Sequence, residues 1–186
     1  MIRKDEFDID KANLEIERKF LIEYPNIDAL EKEKNYRKIH IEQTYIKNKE
    51  NDVSGRLRKT MENGQVKYIY TYKKRISKMT RKEYETFIDK AQYDEMMNFI
   101  IKDTHTLTKD RHMFFYKGYT YEIDIYPFWS DKAVMEVELK YENEEFEIPP
   151  CIKIIDEVTY DKSYSNSSLA TMDFTKQSTI NRINYN

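Results

Sequence analysis

The sequence predicts a mostly β (α+β) protein, a curved antiparallel sheet with a few flanking helices. Three observations carry this. Short segments alternating at period 2 recur along the chain, as half-buried strands do. The 16 Tyr and 9 Phe favour strands over disorder. Two of the three Gly stand in tight turns between alternating segments, at Asn63-Gly64 and Lys117-Gly118.

The elements follow in order. Residues 1–12 are charged and weakly periodic and read as an N-terminal extension. The first strand spans about residues 13–23 and stops at Pro25-Asn26. Residues Asp28 to Ile39 read as a short charged helix, capped by Asn26 or Asp28. Ile41 to Lys47 alternates as a second strand, with Ile41, Gln43, Tyr45 and Lys47 on one face. Gly55 to Met61 and Val66 to Arg75 form a hairpin across Glu62-Asn63-Gly64, and Arg81 to Phe87 continues the sheet. The period then changes: Tyr93, Met96, Met97, Ile100 and Ile101 fall on one helical face. Leu107 to Tyr116 pairs with Tyr119 to Tyr126, and Ala133 to Tyr141 follows after a turn that includes Trp129. Ile152 to Val158 is a short apolar segment, and Ser165 to Met172 reads as a short closing helix. The expected division is an extension at 1–12, one domain over 13–172 and a polar tail at 173–186.

Composition bounds the function. With 32 basic and 34 acidic residues the net charge is −2, which excludes a bulk-basic nucleic-acid binder but not a local basic channel. The lone Cys151 excludes an intrachain disulfide and suits a reducing compartment. No apolar run reaches membrane-spanning length and no signal-peptide pattern is visible, so a cytoplasmic protein is expected. His40, His105 and His112 lack zinc spacing, and no Gly-rich phosphate loop occurs.

The informative pattern is a ladder of charges at i and i+2: Glu15/Glu17 with Lys19, Arg56/Arg58, Lys73/Arg75, Glu83/Glu85, Lys109/Arg111, Glu122/Asp124 and Glu136/Glu138. One such pair on the wet side of a sheet is ordinary. Repeated on seven strands, with like signs grouped within a strand, the pairs point to a curled sheet whose inner face is a polyionic tunnel. Its apolar outer face then needs cover, and the helix around Tyr93–Ile101 offers some. The acids and bases of such a lumen nearly balance, as the cost of unpaired buried charge demands. The bases suit a polyanion with several phosphates, and the acids suit hard divalent cations that bridge phosphates.

These residues resemble a known family. Glu15-Ile16-Glu17-Arg18-Lys19 matches the ExExK signature of the CYTH domain, the triphosphate tunnel metalloenzymes. It is followed in order by Arg56-Leu57-Arg58, Thr71-Tyr72-Lys73, Arg81 to Glu85, Lys109-Asp110-Arg111, Glu122-Ile123-Asp124 and Glu136-Val137-Glu138. Glu157-Val158-Thr159, Asp161 and Tyr164-Ser165-Asn166 resemble the closing segment. The resemblance implies an eight-stranded antiparallel barrel, a triphosphate substrate and Mg²⁺ or Mn²⁺ dependence. It assigns Glu15, Glu17, Glu136 and Glu138 to metal. It assigns Lys19, Arg56, Arg58, Lys73, Lys109 and Arg111 to the triphosphate, with Arg75 and Lys162 as further contacts. Ser163 stands where the family pattern has a base, and Lys162 takes that place. Glu83, Glu122 and Asp124 are supporting acids. Glu85, Lys19 and Arg58 are the candidate catalytic residues, and the attacking water is activated by a second metal or by a tunnel carboxylate.

The reading favoured is a metal-dependent triphosphatase acting on tripolyphosphate or nucleoside triphosphates. A class IV adenylyl cyclase uses the same charges. A non-catalytic polyphosphate-binding module is disfavoured, because the tunnel acids would repel the ligand in the absence of metal. No sequence-specific nucleic-acid or membrane partner is expected, and the apolar outer face offers a surface for a homodimer.

Overall fold

The computed structural model describes residues 13–48, 53–75 and 80–172. The expected extension at 1–12 and tail at 173–186 lie outside the described residues, as do the side chains of Lys73, Arg75 and Arg81.

Nine strands form one antiparallel sheet: β1 (Asn13–Glu23), β2 (Lys34–Asn48), β3 (Val53–Glu62), β4 (Gln65–Arg75), β5 (Thr80–Ile88), β6 (Leu107–Tyr116), β7 (Tyr119–Ile125), β8 (Lys132–Glu138) and β9 (Ile154–Glu157). Their order is β5-β4-β3-β2-β6-β7-β8-β1-β9. The sheet curls until β5 also meets β1, pairing Thr80 to Glu83 with Asn13 to Ile16. Beyond that short seam the same edge of β1 pairs with β9, from Phe20 onward. The result is a barrel-like tunnel that does not close along its length, with nine strands rather than the eight expected.

Register fixes what faces inward. Lys19 lies opposite Glu136, and Glu17 opposite Glu138. Glu122 lies opposite Glu136, Arg111 opposite Asp124, Arg56 opposite Thr71, and Gln43 and Tyr45 opposite Arg58 and Arg56. Because side chains alternate across a strand, their neighbours point outward, and there the cores sit. Ile16, Phe20, Ile22, Phe114, Tyr121, Ile123, Met135 and Val137 form the largest buried cluster. Ile46, Leu57, Tyr70 and Ile88 form a second, covered by Tyr93 and Met96 of α2 (Lys90–Met96). The expected helical cover is therefore present, in shortened form. Asp89 starts α2 with a capping box shared with Gln92. The chain then tightens into a 3₁₀ turn at Met97–Phe99, so Ile100 and Ile101 leave the helical face and join β2 through an Ile46–Ile100 bridge and an Ile101 N–H to Tyr45 carbonyl bond of 3.0 Å.

The helix expected over Asp28–Ile39 is a correction. Only α1 (Ile27–Leu30) is helical, capped by Asn26, and β2 already begins at Lys34. Tyr36 and Ile39 favour strand geometry, and pairing with β6 sets Ile39 opposite Arg111. Likewise the closing helix shrinks to α3 (Asn166–Leu169), capped by Ser165.

Hairpin turns at Asn63-Gly64 and Lys117-Gly118 take positive φ at both residues, which matches the twist of paired strands. Gly55 has a different task. A Cβ there would stand 2.5 Å from the Thr71 carbonyl oxygen and 2.8 Å from the Tyr70 ring. Gly55→Ala is therefore expected to push β3 from β4 and destabilise the fold by about 1–3 kcal/mol, read as a lowered urea midpoint. An unchanged midpoint would contradict the close approach.

Candidate active site: a tunnel with two chambers

The inward charges enclose a front cavity of about 700 Å³. Its walls carry Glu15, Glu17, Lys19, Arg56, Arg58, Glu83, Glu85, Arg111, Glu122 and Glu136, and Lys162 stands at its edge with Ser165 to Ser168. Most of the site residues expected from sequence thus meet in one space. Three do not line it: Lys109, Asp124 and Glu138.

Arg111, Lys109 and Asp124 form a buried foundation. Arg111 grips Asp124 in a fork, Nε to Oδ1 and Nη2 to Oδ2, both at 2.7 Å. It also meets Glu136 at 3.0 Å and pairs with Glu122. Lys109 pairs with Asp124 and reaches the Asn166 Oδ1 at 3.4 Å. Burial favours neutral Asp124, but Arg111 and Lys109 overcome it and hold the carboxyl below its ordinary range. Lys109 is wholly buried, and burial with the neighbouring Arg111 lowers its pKa against the pull of Asp124. Sequence placed Lys109 on the substrate; the structure places it behind the wall, where it supports Asp124 and Asn166.

The basic wall is less fully compensated. Arg56 meets Glu83 at 3.0 Å, and its buried Nε has no hydrogen-bond partner among the described residues. Arg58 donates from Nε to Gln43 Oε1 at 3.1 Å and stands 3.6 Å from Glu85. Burial, then Arg56 and Arg111, push the Arg58 guanidinium down to about 10. It stays charged, but in a neighbourhood with too much positive charge.

The opposite imbalance lies toward the β1/β5/β8 seam. Burial, then Glu15, Glu17 and Glu83, push the Glu138 carboxyl up. Glu136, by contrast, is held well below the usual carboxylate range: burial opposes its charge, but Lys19 at 2.7 Å and Arg111 outweigh it. The four expected metal acids thus divide. Glu15, Glu17 and Glu138 crowd with Glu83, whereas Glu136 is engaged by cations. The donor chemistry of this all-oxygen set fits a hard divalent cation, although no three such side chains among the described residues already converge as a metal cluster.

A second cavity of about 240 Å³ lies behind Arg58, Arg111 and Glu122, which line both chambers. Ile39, Ile41, Ile69, Phe87 and Met113 give it apolar walls. Arg37, Glu62 and Lys67 add charge to its lining, so the rear chamber mixes apolar and ionic walls where the sequence predicts a uniformly polyionic tunnel.

Several residues in or behind the cavity wall are neutral, and the charge ladder gives them no functional role. Gln43 and Tyr45 share the inward face of β2, and alternation alone placed them together. Thr71 donates to Glu85 at 3.2 Å. Asn166 uses its Oδ1 to accept from the Tyr126 hydroxyl at 2.7 Å and from Lys109. Trp129 packs against Tyr126, Phe128 and Tyr164.

An antiparallel sheet curled around opposed carboxylates and guanidinium groups defines a protein of the charged-tunnel class. The family model described as CYTH domain matches residues 13–159, and the chain belongs to that family. Among solved structures, the inorganic triphosphatase NE1496 aligns at 26% identity with a TM-score of 0.53, covering 86% of this chain and 95% of its own. Another structure of NE1496, described as a hypothetical protein, aligns at 27% and 0.53, covering 86% and 99%. The PH1819 protein from Pyrococcus horikoshii OT3 shares the fold at 24% identity and a TM-score of 0.52, over 69% of this chain and 80% of its own. No curated protein matches the sequence. No described helix is long and apolar enough to cross a membrane.

Proposed function

We propose that the protein hydrolyses a triphosphate, inorganic or nucleoside, held in the front cavity. The observation that carries this is the pair of opposed charge sets on one cavity: Lys19, Arg56 and Arg58 line it, as do Glu15, Glu17 and Glu83, which act on the nearby Glu138. A phosphate chain complements the first and a divalent cation the second. The likeness to a protein described as an inorganic triphosphatase supports the same reading.

Glu15, Glu17, Glu83 and Glu138 would hold Mg²⁺ or Mn²⁺, with Glu136 beside them. Bound there, the ion supplies Lewis-acid charge to phosphate oxygens. Lys19, Arg56 and Arg58 bind the phosphate chain, and Lys162 approaches it from the rim. Arg111 fixes the carboxylates behind the chain. Glu85 orients a water and takes its proton as the water oxygen bonds to the terminal phosphorus. The bridging P–O bond breaks, and the departing group, pyrophosphate from tripolyphosphate or a nucleoside diphosphate from a nucleoside triphosphate, takes the electron pair under the charge of Arg58 and Lys19. Such chemistry needs positioning and charge stabilisation and no side-chain nucleophile.

The test is product analysis with tripolyphosphate and, separately, ATP, each with Mg²⁺ or Mn²⁺. Orthophosphate release, lowered by about 10²-fold or more in Glu17→Ala, is the expected result. Cyclic AMP with pyrophosphate from ATP would replace hydrolysis by cyclase chemistry. Binding without turnover would reduce the protein to a polyphosphate-binding module.

A further inference from the structure

We propose that Tyr45 is a further phosphate-binding residue, presenting a neutral O–H donor to a phosphoryl oxygen in the front cavity, and that Gln43 is the positioning residue that aims it. This rests on the triphosphate reading of that cavity.

The argument is a chain of forced hydrogen-bond directions. Arg58 Nε can only donate, so the Gln43 atom that faces it at 3.1 Å is the carbonyl Oε1. The amide nitrogen Nε2 must then face the other way, and it meets the Tyr45 hydroxyl at 2.8 Å. An amide N–H₂ accepts nothing, so the Tyr45 oxygen is the acceptor and its own hydrogen must point elsewhere. Tyr45 lines the front cavity beside Arg56 and Arg58, and no described group accepts that hydrogen. Gln43 is 0% exposed, so water does not compete to turn its amide. Burial raises the Tyr45 pKa against the pull of Arg56, Arg58 and Lys19, which keeps the hydroxyl protonated.

Such a donor complements the charged ones. Lys19, Arg56 and Arg58 each share their hydrogens with a tunnel carboxylate or, for Arg58, with Gln43. A phenol adds a directed hydrogen bond to an oxyanion without adding positive charge to the crowd around Arg58. The charge ladder could not reveal it, because neither Gln43 nor Tyr45 carries charge.

The test is tripolyphosphate affinity by titration calorimetry in metal-free buffer, where turnover plays no part. Tyr45→Phe is expected to weaken binding by about tenfold, with a lowered melting temperature because the buried Gln43 amide loses its acceptor. Gln43→Glu supplies a carboxylate that accepts from both Arg58 and Tyr45, turning the hydroxyl away from the ligand. Alone it is expected to cost at least as much affinity as Tyr45→Phe. In the Glu-substituted background, adding Tyr45→Phe is expected to change nothing further. Unchanged affinity in Tyr45→Phe, or the same loss in both backgrounds, overturns the proposal. If the unaltered protein binds tripolyphosphate but does not hydrolyse it, the hydrolase reading fails while the affinity cycle still decides the role of Tyr45. Failure of the unaltered protein to bind tripolyphosphate overturns both.

Discussion

Arg111→Met is expected to destabilise the fold by about 3–5 kcal/mol at neutral pH, because it leaves buried carboxylates without their shared partner. Glu122, Asp124 and Glu136 all converge on this guanidinium, and Arg111 is only 7% exposed. Methionine keeps much of the volume, so the loss reads the charge rather than a cavity. The sign of the pH dependence follows. In the unaltered protein Asp124 and Glu136 sit below their ordinary range. Their stabilisation is therefore present above the unfolded carboxylate pKa and is lost as pH falls through the folded values. In Arg111→Met the same carboxyls keep only Lys19 and Lys109 and are held down less firmly, so acidification costs the variant less. Urea unfolding should show a gap between the two proteins that is wide at about pH 7 and narrows toward about pH 4. A gap under about 1 kcal/mol at neutral pH, or one that widens in acid, would contradict the foundation role.

Arg58→Ala should behave in the opposite manner. It is expected to lower kcat/KM for tripolyphosphate by about 10²–10³-fold with little loss of stability. Arg58 stands 3.6 Å from Glu85, and burial, then the like charges of Arg56 and Arg111, push its pKa down to about 10. Its removal relieves that repulsion, and residues tuned for a ligand are often poor for stability. Steady-state kinetics beside thermal melts separate the effects. Arg37→Ala, which breaks only the exposed pair with Glu62 at 2.6 Å, is the control expected to keep turnover. Full activity in Arg58→Ala would remove the tunnel assignment.

The two arginines also show how far the sequence can be read. Both were visible as members of i, i+2 pairs, and strand alternation sufficed to face them inward. Which arginine supports the wall and which faces the ligand was not visible. That depends on cross-strand register: Arg111 lies opposite Asp124, whereas Arg58 lies opposite Gln43 and Ile69. The same limit explains Lys109, whose i, i+2 partner Arg111 lines the cavity while it does not. Most strand positions were legible because period 2 with outward apolar residues is a local signal. The stretch from Asp28 to Ile39 was not, because its charges masked a strand whose stability comes from pairing with β6. The apolar part of the rear chamber also has no signature, since Ile39, Ile41, Ile69 and Met113 look locally like ordinary core.

The most direct test of the divided tunnel is a crystal structure with tripolyphosphate and Mn²⁺, the ion located by its anomalous scattering. The phosphates are expected in the front cavity against Lys19, Arg56, Arg58 and Tyr45, with the manganese among Glu15, Glu17, Glu83 and Glu138. Phosphates on the outer surface, or manganese bound away from those acids, would contradict it.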